Sequence, residues 1–324
     1  MKNKIDLEID EPIYSIESLD DLIRIANRKD NEKNSDIMKL KSIVPQLKKL
    51  NEMIGLKELK SQIISQIMFY IQGFSRDEMM HTVLMGPPGV GKTTVAKILG
   101  EIYCSLGFLS EGRFILVGRE NLVGQYLGET AVKTKKVLKS AIGSVLFIDE
   151  AYSLGNSTRE DMYAKECLDT LNKFLSEHTE NFVCIIAGYE DQLESCFFAT
   201  NPGLDRRFPW RYKLQKYNTN DLVEIFETLL FKSKWRFKVP DKCKSELSTI
   251  IDTNNRYFEH CGGDIQNFIN SCKMAHSRRM FGARRTWKKY LTPSDIISGF
   301  KLYKANKKTG NDNKNPESLA HMYM

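Results

Sequence analysis

Gly86-Pro87-Pro88-Gly89-Val90-Gly91-Lys92-Thr93-Thr94 is the stretch that decides how this chain is read. It fits the spacing G-x-x-x-x-G-K-[ST]. It lies between a short apolar run, His81-Thr82-Val83-Leu84-Met85, and a helical pattern that opens with Val95-Ala96-Lys97-Ile98-Leu99. A strand, a glycine-rich loop and a helix in that order are the context the motif requires. The glycines let the backbone aim several N–H groups at one anion, and the helix N-terminus adds partial positive charge. In such a loop Lys92 reaches the outer phosphates of a nucleotide and the Thr93 hydroxyl holds Mg²⁺. Gly86 to Thr94 are therefore the expected nucleotide-binding residues, with ATP and Mg²⁺ as the cofactors.

Further along, Ser144-Val145-Leu146-Phe147-Ile148-Asp149-Glu150 is an apolar strand that ends in two carboxylates. Ligands of a parallel sheet sit at the carboxyl ends of its strands. There Asp149 is expected to accept hydrogen bonds from water on Mg²⁺ and Glu150 to polarise an attacking water. The pair favours hydrolysis over transfer of a phosphoryl group to a metabolite.

Around these motifs the periodicity alternates. Apolar runs at His81–Met85, Arg113–Val117, Ser144–Ile148 and Phe182–Ala187 have the brevity and residue types of buried parallel strands. Helical patterns fall between them at Thr93–Cys104, Thr130–Ile142 and Met162–Leu175. The expectation is an α/β P-loop NTPase core with a parallel sheet over residues 41–215. After about Lys216 only helical patterns follow, at Leu222–Leu230, Asp241–Tyr257, Asp264–Phe281 and Pro293–Tyr303. They predict a small all-helical domain over 216–303. Residues 1–40 read as a polar arm, in which Leu22, Ile23 and Ile25 suggest a short helix, and 304–324 as a disordered polar tail.

Composition sets the outer limits. Of 324 residues, 41% are hydrophobic and 27% charged, which excludes a wholly disordered chain. The net charge of +7 is spread over 48 basic and 41 acidic residues, too diffuse to establish nucleic-acid binding. Seven scattered cysteines with no CxxC pair argue for reduced thiols, several of them buried, and against a zinc or redox motif. The start of the chain lacks the apolar run of a signal peptide, and no stretch approaches the ~20 apolar residues of a membrane span. An intracellular, cytoplasmic protein without a membrane partner is expected.

With both motifs in place, the chain resembles the AAA+ ATPases, specifically the SpoVK/CbbX-like branch that includes a Rubisco activase. The resemblance runs from about Leu50 to Tyr303. It is strongest over Leu122-Val123-Gly124-Gln125-Tyr126-Leu127-Gly128-Glu129-Thr130-Ala131 and on through Val145–Tyr152, with further matches at Ile186–Tyr189 and Asn201-Pro202-Gly203-Leu204. It implies a homohexameric ring and an adenine pocket near Ile54 and Gly55. It also implies a central-pore loop at Tyr126, Leu127 and Gly128 that grips a polypeptide through apolar contact. Arg207 falls on the arginine of the family's N-P-G-F-x-x-R pattern, with Arg206 as co-candidate. A guanidinium there stabilises transition-state charge in the neighbouring subunit's site.

Two departures stand out. The sensor-1 position falls near Gly188-Tyr189 with no asparagine, and Cys261-Gly262-Gly263-Asp264-Ile265-Gln266-Asn267 offers no sensor-2 arginine. Gly263, with Gly262, instead lets backbone approach the adenine or ribose.

The function expected is ATP-driven remodelling of a protein client, with ATP between core and helical domain. Its rivals are a nucleic-acid motor or loader, drawing on Arg278-Arg279 and Arg284–Lys289 with Trp287, and a nucleotide-gated scaffold with little turnover. An aromatic–aliphatic pore loop argues against the motor, where basic residues are expected. The shared motifs do not name the client, so likeness to a Rubisco activase does not assign that activity.

Overall fold

The computed structural model describes residues 14–28, 34–74, 78–126, 128–155, 161–283 and 288–312. Two compact units result. One comprises residues 1–85 and 93–213; the other comprises 214–324 together with the loop 86–92.

The first unit opens with three short helices, α1 (Leu19–Ala26), α2 (Ser35–Ser42) and α3 (Val44–Asn51), before the longer α4 (Lys57–Ile71). The stretch expected as a polar arm therefore contains ordered helix. Leu19, Leu22 and Ile25 recur at helical spacing and are buried, and Ser18 and Asp21 form a reciprocal capping box. The sheet strands are β1 (Thr82–Met85), β2 (Phe114–Val117), β3 (Val145–Ile148), β4 (Val183–Gly188) and β5 (Trp210–Lys213). All neighbours are parallel, in the order β2-β3-β4-β1-β5. Between them run α5 (Lys92–Ser105), the single turn α6 (Arg119–Leu122), α7 (Glu129–Ser140), α8 (Met162–Glu177) and the turn α9 (Glu190–Gln192).

Every residue of β1, β3 and β4 is buried, which is why these strands read as unbroken apolar runs. His81, at the foot of β1, is buried too. Its Nδ1 accepts the Cys184 N–H at 3.1 Å, and burial pulls its pKa down to about 3, so it is neutral.

The second unit holds α10 (Thr219–Lys232), α11 (Pro240–Thr253), α12 (Gly262–Arg279) and α13 (Pro293–Asp312). It is not wholly helical: β6 (Arg236–Phe237) pairs in parallel with β7 (Tyr290–Leu291). Strands of two residues are too short to show a period. α13 continues through the start of the expected tail, where Lys307 pairs with Asp264 at 2.9 Å and bonds the Tyr257 carbonyl at 2.6 Å. Asp264 is buried, so Lys307 is anchored there. The seven cysteines are all free thiols, and five are buried. No described helix is long and apolar enough to cross a membrane.

Candidate nucleotide-binding and hydrolysis site

Because β1, β3 and β4 are parallel, the segments after Met85, Ile148 and Gly188 all leave the sheet at its carboxyl edge. Chemistry-bearing residues gather at such an edge for a topological reason. Strands end there on buried apolar residues, and the next residues are the first that can be polar.

After Met85 the loop turns on glycines in left-handed backbone, Gly89 at φ +74° and Gly91 at φ +99°. At Gly89 a side chain is excluded twice, by that φ and because a Cβ would strike the His260 carbonyl oxygen. The Lys92 ammonium bonds the carbonyls of Gly86 at 2.7 Å and Pro87 at 2.8 Å, which brings a cation into the curve of the loop.

Two more contacts brace the loop from behind. The Gly262 N–H donates to the Gly89 carbonyl at 3.1 Å, and the Tyr217 hydroxyl donates to the Val90 carbonyl at 2.9 Å. In a trans peptide the C=O and the following N–H point opposite ways. Fixing these two carbonyls therefore fixes the N–H groups of Val90 and Gly91 on the other side. Burial pushes the Tyr217 phenol up to about 12, so it is a donor throughout the physiological range. Pro87 and Pro88 stand before this braced turn, and Gly263 lies in the first turn of α12, in the same unit as the loop.

Thr93 and Thr94 open α5 in the first unit, which also contains Asp149 and Glu150. Asp149 is half-buried and accepts the Glu150 N–H on Oδ1 at 3.1 Å. Glu150 is exposed, in left-handed backbone at φ +50°, a conformation that costs a residue with a Cβ about 1–2 kcal/mol. Strain of that kind persists where its surroundings over-determine it, typically at functional sites. Burial, and then the Glu150 charge, push the Tyr152 phenol up to about 12. Its ring lies 5.9 Å from that of Tyr189. The position expected to carry a polar sensor thus faces an aromatic pair, and a Cβ at Gly188 would press on the Tyr152 ring.

Ile54 and Gly55 form a half-buried turn before α4, which Lys60 ties down through the carbonyls of Asn51 and Met53. Tyr126 is 69% exposed on the loop before α7. The Glu129 carboxylate accepts the N–H groups of Gln125 and Tyr126 at 3.3 Å each, and Gly128 caps the helix at φ +82°. Leu127 and the stretch Arg284–Trp287 lie outside the described residues. Arg206 and Arg207 end a 3₁₀ turn, Pro202–Arg207. Arg206 is exposed; Arg207 is half-buried, and the Ser176 hydroxyl accepts from its Nε at 3.1 Å and from a terminal nitrogen at 2.9 Å.

The residues fit the expected ligands. A glycine-walled loop with aimed N–H groups, a lysine and a following helix suit a polyphosphate. The Thr93 hydroxyl and Asp149 carboxylate are hard oxygen donors, and Mg²⁺ takes only one or two protein ligands when phosphates supply others. Tyr217 and His260 escaped the sequence reading, because each acts through a contact that no motif records.

Residues 82–201 match the family described as ATPase family associated with various cellular activities (AAA). A putative cfxQ-like protein of Acanthamoeba polyphaga mimivirus is 36% identical over 307 residues, covering 91% of this chain and 74% of that protein. Stage V sporulation protein K of Bacillus subtilis is 32% identical, covering 72% and 75%. The plasmid-borne CbxX of Cupriavidus necator is 38% identical, covering 71% and 74%. Among solved structures, the FIGL-1 AAA domain in complex with ADP aligns at a TM-score of 0.57 and 18% identity, covering 81% of this chain and 89% of that one. A Thermotoga maritima RuvB variant aligns at 0.55 and 18%, covering 78% and 71%. With such relatives matched over most of their length, the chain belongs to the AAA ATPase family, in the branch of the CfxQ/CbxX proteins and stage V sporulation protein K, and is a Mg²⁺-dependent enzyme that hydrolyses ATP.

Proposed function

We propose that this ATPase works as a closed ring, a homohexamer, that remodels a protein client by moving Tyr126 loops against it. AAA proteins generally self-associate, which supports the assembly. The observation that carries the remodelling reading is Tyr126 itself. A large aromatic side chain 69% exposed, on a loop whose backbone is braced by Glu129, is an apolar contact held out on a fixed support. Such a ring grips many sequences without a dedicated pocket. Tyr126→Ala is expected to keep basal ATP turnover within about twofold, since one exposed side chain adds little to fold stability, and to abolish client unfolding. A fluorescence-based unfolding assay run beside phosphate release checks both. Loss of turnover together with unfolding would move Tyr126 into the hydrolytic machinery.

In the proposed cycle Lys92 and the loop N–H groups hold the phosphates, and Thr93 and Asp149 hold Mg²⁺, which supplies charge neutralisation when bound. Glu150 orients and deprotonates the attacking water. Arg207 acts on the neighbouring subunit's nucleotide. Ile54, Gly55 and Gly263 border the adenosine.

Tyr217 joins this set as a positioning residue, because it fixes the Gly91 N–H through the Val90 carbonyl. Tyr217→Phe is expected to weaken ADP binding about fivefold, the loss of one hydrogen bond worth ~1 kcal/mol. Calorimetric titration reads it, and an unchanged Kd would remove Tyr217 from the site.

A further inference from the structure

Among the stretches of this chain that carry Lys and Arg without Asp or Glu are residues 228–240, with four cations, and residues 265–294, with seven, the latter holding the most. Together they hold eleven of the 48 Lys and Arg and none of the 41 Asp and Glu, so the rest of the chain is net acidic. The fold joins the two. β6 pairs with β7 through Arg236 opposite Tyr290, the Arg236 N–H donating to the Lys289 carbonyl at 2.9 Å and the Lys238 N–H to the Leu291 carbonyl at 2.8 Å. Lys273 reaches the same place from α12. Its Nζ lies 2.9 Å from the Ser233 hydroxyl and 5.5 Å over the Trp235 ring.

Lys273 and Lys289 lie close enough to act on each other. Burial, and then the charge of Lys289, lower the pKa of Lys273. Among the described residues no carboxylate pairs with Lys232, Lys234, Arg236, Lys238, Lys273 or Lys289. Among the described residues, the ion pairs that Lys and Arg make in this unit join Lys244 to Glu227, Arg279 to Asp295 and Lys307 to Asp264. Lys234 stands in left-handed backbone, φ +61°, because it closes α10: its N–H donates to the Phe231 carbonyl at 2.9 Å and the Trp235 N–H to the Leu230 carbonyl at 3.1 Å. Surface lysines ordinarily spread among acids and are simply solvated. That account leaves the closeness of Lys273 and Lys289, with no acid between them, without a cause.

Aromatic side chains share the surface. Phe231 is 39% exposed and Tyr290 45% exposed, and the Arg236 guanidinium lies 4.5 Å over the Phe231 ring. The electron-rich face of an aromatic ring repels a carboxylate but stacks well on a nucleobase. We propose that this basic, aromatic ribbon of the C-terminal unit is a binding site for single-stranded nucleic acid, with Arg236, Lys273 and Lys289 on its phosphates and Tyr290 stacking a base. The site shares no residue with the hydrolytic set or with the Tyr126 loop, and it does not depend on the remodelling reading.

The test is fluorescence anisotropy of a labelled oligouridylate twenty-mer with the full chain, held in saturating Mg²⁺-ADP to occupy the phosphate loop. Binding is expected, with log affinity falling against log salt at a slope of about −2, since each of three phosphate contacts on a single strand contributes roughly −0.7. Lys273→Ala with Lys289→Ala should lower affinity at least about tenfold and flatten the slope by about 1.4. The matching Lys→Arg pair should keep both. Tyr290→Ala should cost about tenfold with the slope unchanged, because stacking releases no counterions. Basal ATP turnover of these variants stays at the parent rate and shows that the fold is intact. Absence of oligonucleotide binding at about 50 mM salt, or binding indifferent to the lysine pair, overturns the proposal. Tighter binding of a polyglutamate peptide with the same lysine dependence also overturns it and makes the surface a dock for an acidic protein segment.

Discussion

Glu150→Gln is expected to bind ATP as the parent protein does and to hydrolyse it about 10²–10⁴-fold more slowly, the range spanned by a positioned general base. Glutamine keeps the shape and hydrogen-bonding reach of the side chain but cannot take a proton. The local backbone makes the assignment specific. Glu150 is the residue placed in left-handed conformation where β3 ends, and its N–H is held by Asp149. Single-turnover phosphate release against nucleotide affinity separates the two effects. Turnover at the parent rate would show that another group activates the water.

Arg207→Ala is expected to lower turnover about 10³-fold, the lower end of what an arginine finger supplies, with nucleotide affinity nearly unchanged. The Ser176 hydroxyl accepts from two guanidinium nitrogens, so Arg207 is pre-oriented, and pre-orientation is what makes an electrostatic stabiliser effective. Ser176→Ala should then share a small part of the loss. Arg206, exposed beside it, makes the comparison sharp. If Arg206→Ala carries the loss and Arg207→Ala does not, the finger is the neighbouring residue.

What could be read in advance follows from what each element is made of. β1, β3 and β4 are buried on both faces, so their sequences are apolar runs bounded by charge, and they fall where the runs do. The phosphate loop is legible because its chemistry demands glycine at fixed spacing. The helix α1 was suggested by Leu22, Ile23 and Ile25, whereas α2 and α3 were hidden because eight-residue helices hold few apolar turns. Tyr217 could not be found, since it bonds Val90 across 127 residues of chain with no spacing rule to announce it. The same holds for Lys307, which reads as part of a polar tail until Asp264 is seen buried against it. The basic ribbon was half visible. Arg278 and Lys289 stood out as a charged run, but only the two-residue pairing of β6 with β7 brings Lys289 beside Arg236.

The central claim is that each hydrolytic site is shared between two copies of this chain, Glu150 from one and Arg207 from the next. Mixing two inactive proteins tests it most directly. Glu150→Gln subunits retain the finger, and Arg207→Ala subunits retain the base. In a ring of head-to-tail contacts assembled at random from equal amounts, about a quarter of the interfaces regain both residues. The shared-site account predicts that ATP turnover, near zero for either protein alone, rises on mixing toward that fraction of the parent rate. Turnover that stays at the level of the separate proteins, under conditions where they co-assemble, would contradict it.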